Sequence, residues 1–259
     1  MDKTVFYLAK KEFMDNFRNY WIIILSIIFT FLILVISYFG STGLGSGFRA
    51  LDLTIELLKS PVILIVPIIS LMLGYASIVR EIEDGSMSSL LSFPVKRYEV
   101  VLGKFLGLGS VISTIILIGF LVSGVVIAIN TSGSDFIYYF GFIGATILLG
   151  LGFLSVSLFF SSILKRRTTA IGAAIFLWIF FAIIWNILII GIAFTVFMSG
   201  NNEMSIDWLP YVNLINPLMA ISYFGGSGPP DLQWILVSYF SWIIMPLILT
   251  FVIFEKKDI

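Results

Sequence analysis

The chain has 259 residues, 59% of them hydrophobic and only 12% charged, and its fifteen basic and fifteen acidic side chains cancel. A soluble domain carries about 25% charged residues, so half that supply cannot solubilise a globule of this size, and a bilayer is the natural solvent. No Cys and no His is present, which excludes disulfides, thiolate metal sites and cysteine nucleophiles and disfavours hydrolases that need an imidazole base.

Residues 1–20 are polar and amphipathic. Phe6, Ala9, Phe13, Phe17 and Tyr20 recur at helical spacing, with Lys3, Lys10, Asp15 and Arg18 elsewhere on the wheel. This pattern predicts a helix lying in the membrane interface, serving either as a basic anchor or as a brace against a partner. The apolar run that follows is long enough to span, so it reads as a retained first membrane helix rather than a cleaved leader.

About 20 apolar residues cross the hydrocarbon core as a helix. Six runs without Asp, Glu, Lys or Arg meet this requirement: Trp21–Phe39, Pro61–Val79, Phe105–Ile129, Ile137–Leu164, Ile171–Met198 and Gln233–Phe254. Their continuity, without polar alternation, favours helices over a barrel. The expected fold is therefore an all-α integral membrane protein, one transmembrane domain over residues 1–259.

Between the first two spans, "GSTGLGSG" reads as a flexible linker, and Phe48, Leu51, Ile55 and Leu58 suggest a short surface helix. The fifth connector, Ser199 to Leu232, holds "WLPYVNLINPLMAISYF", too apolar for a loop and too broken for a span. Short re-entrant helices are expected there, one starting at Pro217. Within the spans the strongest polar group is Asn186, which reads as interhelical glue or as a substrate ligand. Gly103 with Gly107, and Gly150 with Gly152, favour close helix packing. No intramembrane charge suggests a proton or ion relay.

Thirteen Lys and Arg fall on the amino-terminal segment, the second and fourth connectors and the tail; the other connectors hold only Arg49 and Lys59. By the positive-inside rule both termini are expected in the cytoplasm. The second connector then becomes the notable cytoplasmic feature. "VREIEDGSMSSLLSFPVKRYEVVLGK", residues 79–104, places an acidic turn after the second span and a basic clamp before the third. Ser86 suits the cap of a short helix, "MSSLLSF", that Pro94 ends. Met87, Leu90, Leu91 and Phe93 would face a partner or the headgroups.

Arg80, Glu81, Glu83, Gly85, Ser86, Leu90, Leu91, Pro94, Val95, Arg97, Gly103 and Lys104 stand as in the "RE-x-E-x-G(T/S)…LL…PV-x-R…GK" segment of ABC transporter permeases of the type-2 exporter class, and the chain resembles that family across its length. Ser86 stands where Thr is more usual, and Met87-Ser88 replaces the familiar "LE". Pro217 after Asn216, in "NPLMAISY", is similar to the membrane subunits associated with nitrous-oxide reductase maturation. The resemblance implies a coupling helix in the 80–104 segment that docks on a separate ATP-binding subunit through Arg80, Glu81, Glu83, Asp84, Gly85 and Ser86. The interfacial helix, with Phe6, Phe13, Phe17 and Arg18, would brace the same subunit.

No GxxxxGK(S/T) phosphate cradle occurs in the chain, so ATP and Mg would belong to the partner. Two ATP-binding subunits and a second copy of this chain or a related permease are implied, with membrane lipids around them in the plasma membrane and no nucleic acid. No catalytic or metal-ligating residue is assigned. Two other functions remain compatible with a greasy six-span chain: an assembly subunit of an ABC-like complex that does not transport, and an intramembrane lipid-modifying enzyme or protease, which the absence of paired catalytic groups at bilayer depth disfavours.

Overall fold

The computed structural model describes residues 3–42, 51–87, 92, 95–130, 136–199 and 232–256. Among these residues the secondary structure is helical, and six helical stretches are long and apolar enough to cross a membrane. Helix α1 covers Lys3–Phe17 and α2 covers Tyr20–Thr42. Helix α3, Leu51–Gly74, continues through a turn into α4, Val79–Glu83. Helix α5 is Arg97–Asn130 and α6 is Phe136–Ile163. The fifth span runs as α7, Arg167–Ile179, a π-helical turn at Phe180–Ile184, and α8, Trp185–Ser199. Helix α9, Leu232–Lys256, is the last.

Six spans match the sequence expectation, but several of their ends differ. Gly40, Ser41 and Thr42, expected in the linker, are the last residues of α2, where a Cβ on Gly40 would come within 3.0 Å of Thr54 Oγ1 of α3. Leu51, Ile55 and Leu58 are buried along the first turns of α3 instead of forming a separate surface helix. Helix α3 then passes through Pro61 and Pro67 without ending. Helix α5 begins at Arg97, eight residues before the predicted Phe105. The Glu99 carboxylate accepts the Lys96 backbone N–H at 2.7 Å, the back half of a capping box, and this satisfies the helix start. Met87, expected to face a partner or the headgroups, is instead fully buried in the core; Phe48, Ser88 to Leu91 and Phe93 of the expected "MSSLLSF" helix, and the expected re-entrant pieces lie outside the described residues.

Helix α6 is the central member of the bundle. It packs against α3, α5, α7 and α9, and it is the most enclosed of the six spans. Glycines permit the approach: a Cβ added at Gly150 would sit 2.8 Å from Ile112 Cγ2 of α5, and one at Gly74 would sit 2.6 Å from Ser157 Cβ of α6. Serines on α6 hydrogen-bond to the backbones of its neighbours. Ser155 donates to the Ile243 carbonyl at 2.6 Å, next to the Trp242 carbonyl whose helical partner Pro246 removes. Ser157 donates to the Leu71 carbonyl at 3.1 Å, and Ser161 Oγ accepts from the N–H groups of Ile78 (3.1 Å) and Val79 (3.0 Å). These bonds satisfy the backbone at the break between α3 and α4, which a buried position requires.

The fifth span is the least covered, with only 6% of its most apolar window buried within the chain. Its N-terminal half meets α3, α4 and α6. Near the π-helical turn, Phe181 packs edge-on against Phe153 and Trp242.

Candidate functional site

Twelve of the thirteen basic residues among the described ones fall on one end of this bundle by connectivity, and there the structure gathers α1, the α3–α4 break, and the starts of α5 and α7. Helix α1 lies on α5 along the Gly103–Gly107 pair. A Cβ at Gly103 would come within 2.5 Å of Leu8 Cβ, and one at Gly107 within 2.6 Å of the Ala9 carbonyl oxygen and Glu12 Cβ. The small-residue pair expected to favour close helix packing receives the amino-terminal helix. This contact divides the apolar stripe read from the sequence: Phe13 packs toward the core, stacked on Phe17 at 5.4 Å, while Phe6, Phe17 and Tyr20 remain exposed. Arg18 is exposed in the turn into α2, where the Asn19 side chain caps the new helix by accepting the Trp21 N–H at 3.1 Å.

The acidic turn is built on α4. Asp84 N–H donates to the Arg80 carbonyl and Gly85 N–H to the Ile82 carbonyl. Gly85 then takes the left-handed conformation, φ +72°, that ends a helix in a Schellman-type turn. Nothing lies within 4 Å of where its Cβ would be, so glycine is required here by backbone conformation alone. Ser86 does not project away; its hydroxyl donates to the Glu81 carbonyl at 3.3 Å.

The side chains of the turn divide between two internal cations. Glu81 reaches Lys104 of α5 at 2.8 Å, and the same Lys104 Nζ contacts Glu12 of α1 at 2.7 Å. The Lys104 side chain is only 3% exposed, so one ammonium shared by two carboxylates ties three separate elements together out of water. On the other side Glu83 meets Arg167 Nε at 3.1 Å, and Asp84 pairs with the same guanidinium. Glu83 also faces the Arg167 backbone N–H at 3.4 Å. Two carboxylates therefore lie at the amino-terminal end of α7, where the helix dipole favours negative charge. Arg80 stands 3.7 Å from Asp84 and stays largely exposed; Glu83 and Asp84 are roughly half exposed. Arg97 completes the ring by donating to the Phe254 carbonyl at 2.9 Å and the Glu255 carbonyl at 3.1 Å, which caps the carboxyl end of α9.

Arg80, Glu81, Glu83, Asp84, Gly85 and Ser86, expected as one docking segment, lie together on α4 and the turn that ends it. Sequence reasoning did not assign site roles to Glu12, Lys104 and Arg167, which hold that turn in place. A faint signal existed for Lys104, a single cation at the head of a long apolar run that needs a counter-ion. For Glu12 and Arg167 there was none, because their partners are remote in sequence. Among the described residues no group of three or more acidic side chains has metal-holding geometry.

Over residues 6–259 the chain matches the family described as ABC-2 family transporter protein. It is similar to the "Probable ABC transporter permease protein NosY" of Stutzerimonas stutzeri, with 30% identity over 277 aligned residues covering 98% of each chain. It is also similar to the protein of the same name from Pseudomonas aeruginosa, with 33% identity over 219 residues covering 83% of this chain and 78% of that one.

Proposed function

The chain belongs to the ABC-2 family and is a multi-pass permease subunit of an ABC transporter; from that premise we propose that its basic end faces the cytoplasm and receives a separate ATP-binding subunit on the acidic turn. In this reading ATP and Mg are bound and hydrolysed on the partner. Two partners serve two copies of the permease in the plasma membrane, and a substrate leaves the cell between the copies. The observation that supports docking at the turn is its wiring. Glu81 ties it to α5 and α1 through Lys104, while Glu83 and Asp84 tie it to α7 through Arg167. Arg80, Glu83 and Asp84 keep exposed edges for a partner. In this reading a displacement imposed there is carried to α1, α5 and α7. The exposed Phe6, Phe17 and Arg18 of the interfacial region would border the same partner.

The experiment is co-purification with the ATP-binding subunit and measurement of ATP turnover. Glu83→Lys combined with Gly85→Pro is expected to abolish stimulation of the partner ATPase while the permease still inserts. Normal assembly and turnover in that variant would end the docking assignment. Sidedness is tested separately, because the chain lacks cysteine. Ser86→Cys should react with an impermeant maleimide in inverted vesicles and be silent in intact cells; the reverse pattern would refute the orientation.

A further inference from the structure

A cleft of about 560 Å³ opens at the basic end, between α1, the start of α2 and the end of α3. Its lining is mixed. One wall carries Ile22, Leu25, Ile69, Met72 and Leu73 from the two spans, and the other carries charged residues of α1 and the acidic turn. Met72 is 43% exposed, although it comes from a helix otherwise largely enclosed. Trp21 and Tyr20, both mostly exposed, mark this level as the membrane–water boundary, where such rings settle.

The charges in the cleft are mostly spent internally. Lys104 is taken by Glu12 and Glu81, and Arg80 leans on Asp84. Lys11 and Asp15 are left: both line the cleft, both belong to α1, and neither makes an ion pair among the described residues. They stand four positions apart with the cation first, the weaker order for a helical pair. A cleft that is apolar on one wall and ends in one spare cation and one spare anion is complementary to an amphiphile with a zwitterionic head.

We propose that this cleft binds a membrane phospholipid with a primary-ammonium headgroup. Lys11 faces the phosphate, Asp15 accepts the ammonium N–H groups, and Leu25 and Met72 cover the first methylenes. A trimethylammonium head has no N–H to donate and is disfavoured. An anionic head without an amine leaves Asp15 facing like charge and is disfavoured more. The bound lipid would fasten α1 to the first two spans.

The test uses the full-length protein reconstituted with equal amounts of phosphatidylethanolamine, phosphatidylcholine and phosphatidylglycerol of identical acyl chains, then extracted gently and weighed intact with its retained lipid. One phosphatidylethanolamine per chain is expected, preferred about threefold over phosphatidylcholine, the scale of one exposed ion pair. Asp15→Asn should erase that preference while some lipid is still retained. Met72→Trp, which fills the apolar wall, should remove retention of all three; Ala76→Leu, on the same wall, repeats the test should the tryptophan variant not fold. Preferential retention of phosphatidylglycerol, equal retention of the amine and choline lipids by the unaltered protein, no retained lipid, or retention unaffected by a well-folded wall variant would each overturn the proposal.

Discussion

Replacing Lys104 with Met should loosen the amino-terminal helix from the bundle. In the native structure Nζ lies 2.7 Å from Glu12 Oε1 and 2.8 Å from Glu81 Oε1, so those two oxygens are at most about 5.5 Å apart. Their side chains are only 12% and 19% exposed. Without the ammonium they repel by roughly 3 kcal/mol at an effective dielectric of about 20. That figure falls in the range of about 3–5 kcal/mol for removing one partner of a buried pair. The triple variant Lys104→Met, Glu12→Gln, Glu81→Gln has no orphan charge and should return to within about 1 kcal/mol of the native protein. Equilibrium unfolding in detergent, followed by tryptophan fluorescence, gives the free energies, and trypsin cutting at Lys10 and Lys11 reports release of α1. Unchanged stability in the single variant, or a triple variant as weak as the single one, would refute the shared-cation account.

Gly107→Leu should also release α1, by sterics instead of charge, since even a Cβ meets the Ala9 carbonyl at 2.6 Å; about 1–3 kcal/mol of destabilisation and faster trypsin cleavage at Lys10 are expected. Ser161→Ala removes the acceptor for two buried N–H groups at the α3–α4 break and should cost about 1–3 kcal/mol, with faster amide exchange at Ile78 and Val79 as its local signature. Gly85→Ala meets no steric obstacle, so its cost should be the backbone penalty of about 1–2 kcal/mol for a left-handed alanine, measured by the same unfolding experiment.

The spans were legible because hydrocarbon imposes one rule on every residue within it, and that rule acts through local composition. Their ends were not, because charges are tolerated where remote partners neutralise them. Helix α5 starts at Arg97 and not Phe105 since Lys104 finds Glu12, ninety-two positions away, along with Glu81. The start of the fifth span at Arg167 depends likewise on Glu83 and Asp84. The acidic turn itself could be recognised from its residues and their order. Its inward-facing half could not, because a carboxylate committed to an internal lysine reads the same in sequence as one offered to a partner. The Gly103–Gly107 pair announced a close neighbour, yet nothing local identified α1 as that neighbour.

The wide turn at Phe180–Ile184 alters how the fifth span should be read. One surplus residue in a coil of 3.6 per turn swings everything beyond it by about 100° around the axis. Residues of α7 and α8 that a single wheel diagram would align therefore look out in different directions. The end pinned through Arg167 and the far end past Trp185 present distinct sides to whatever surrounds them, so a scan of substitutions along this span should be phased separately on each side of the interruption.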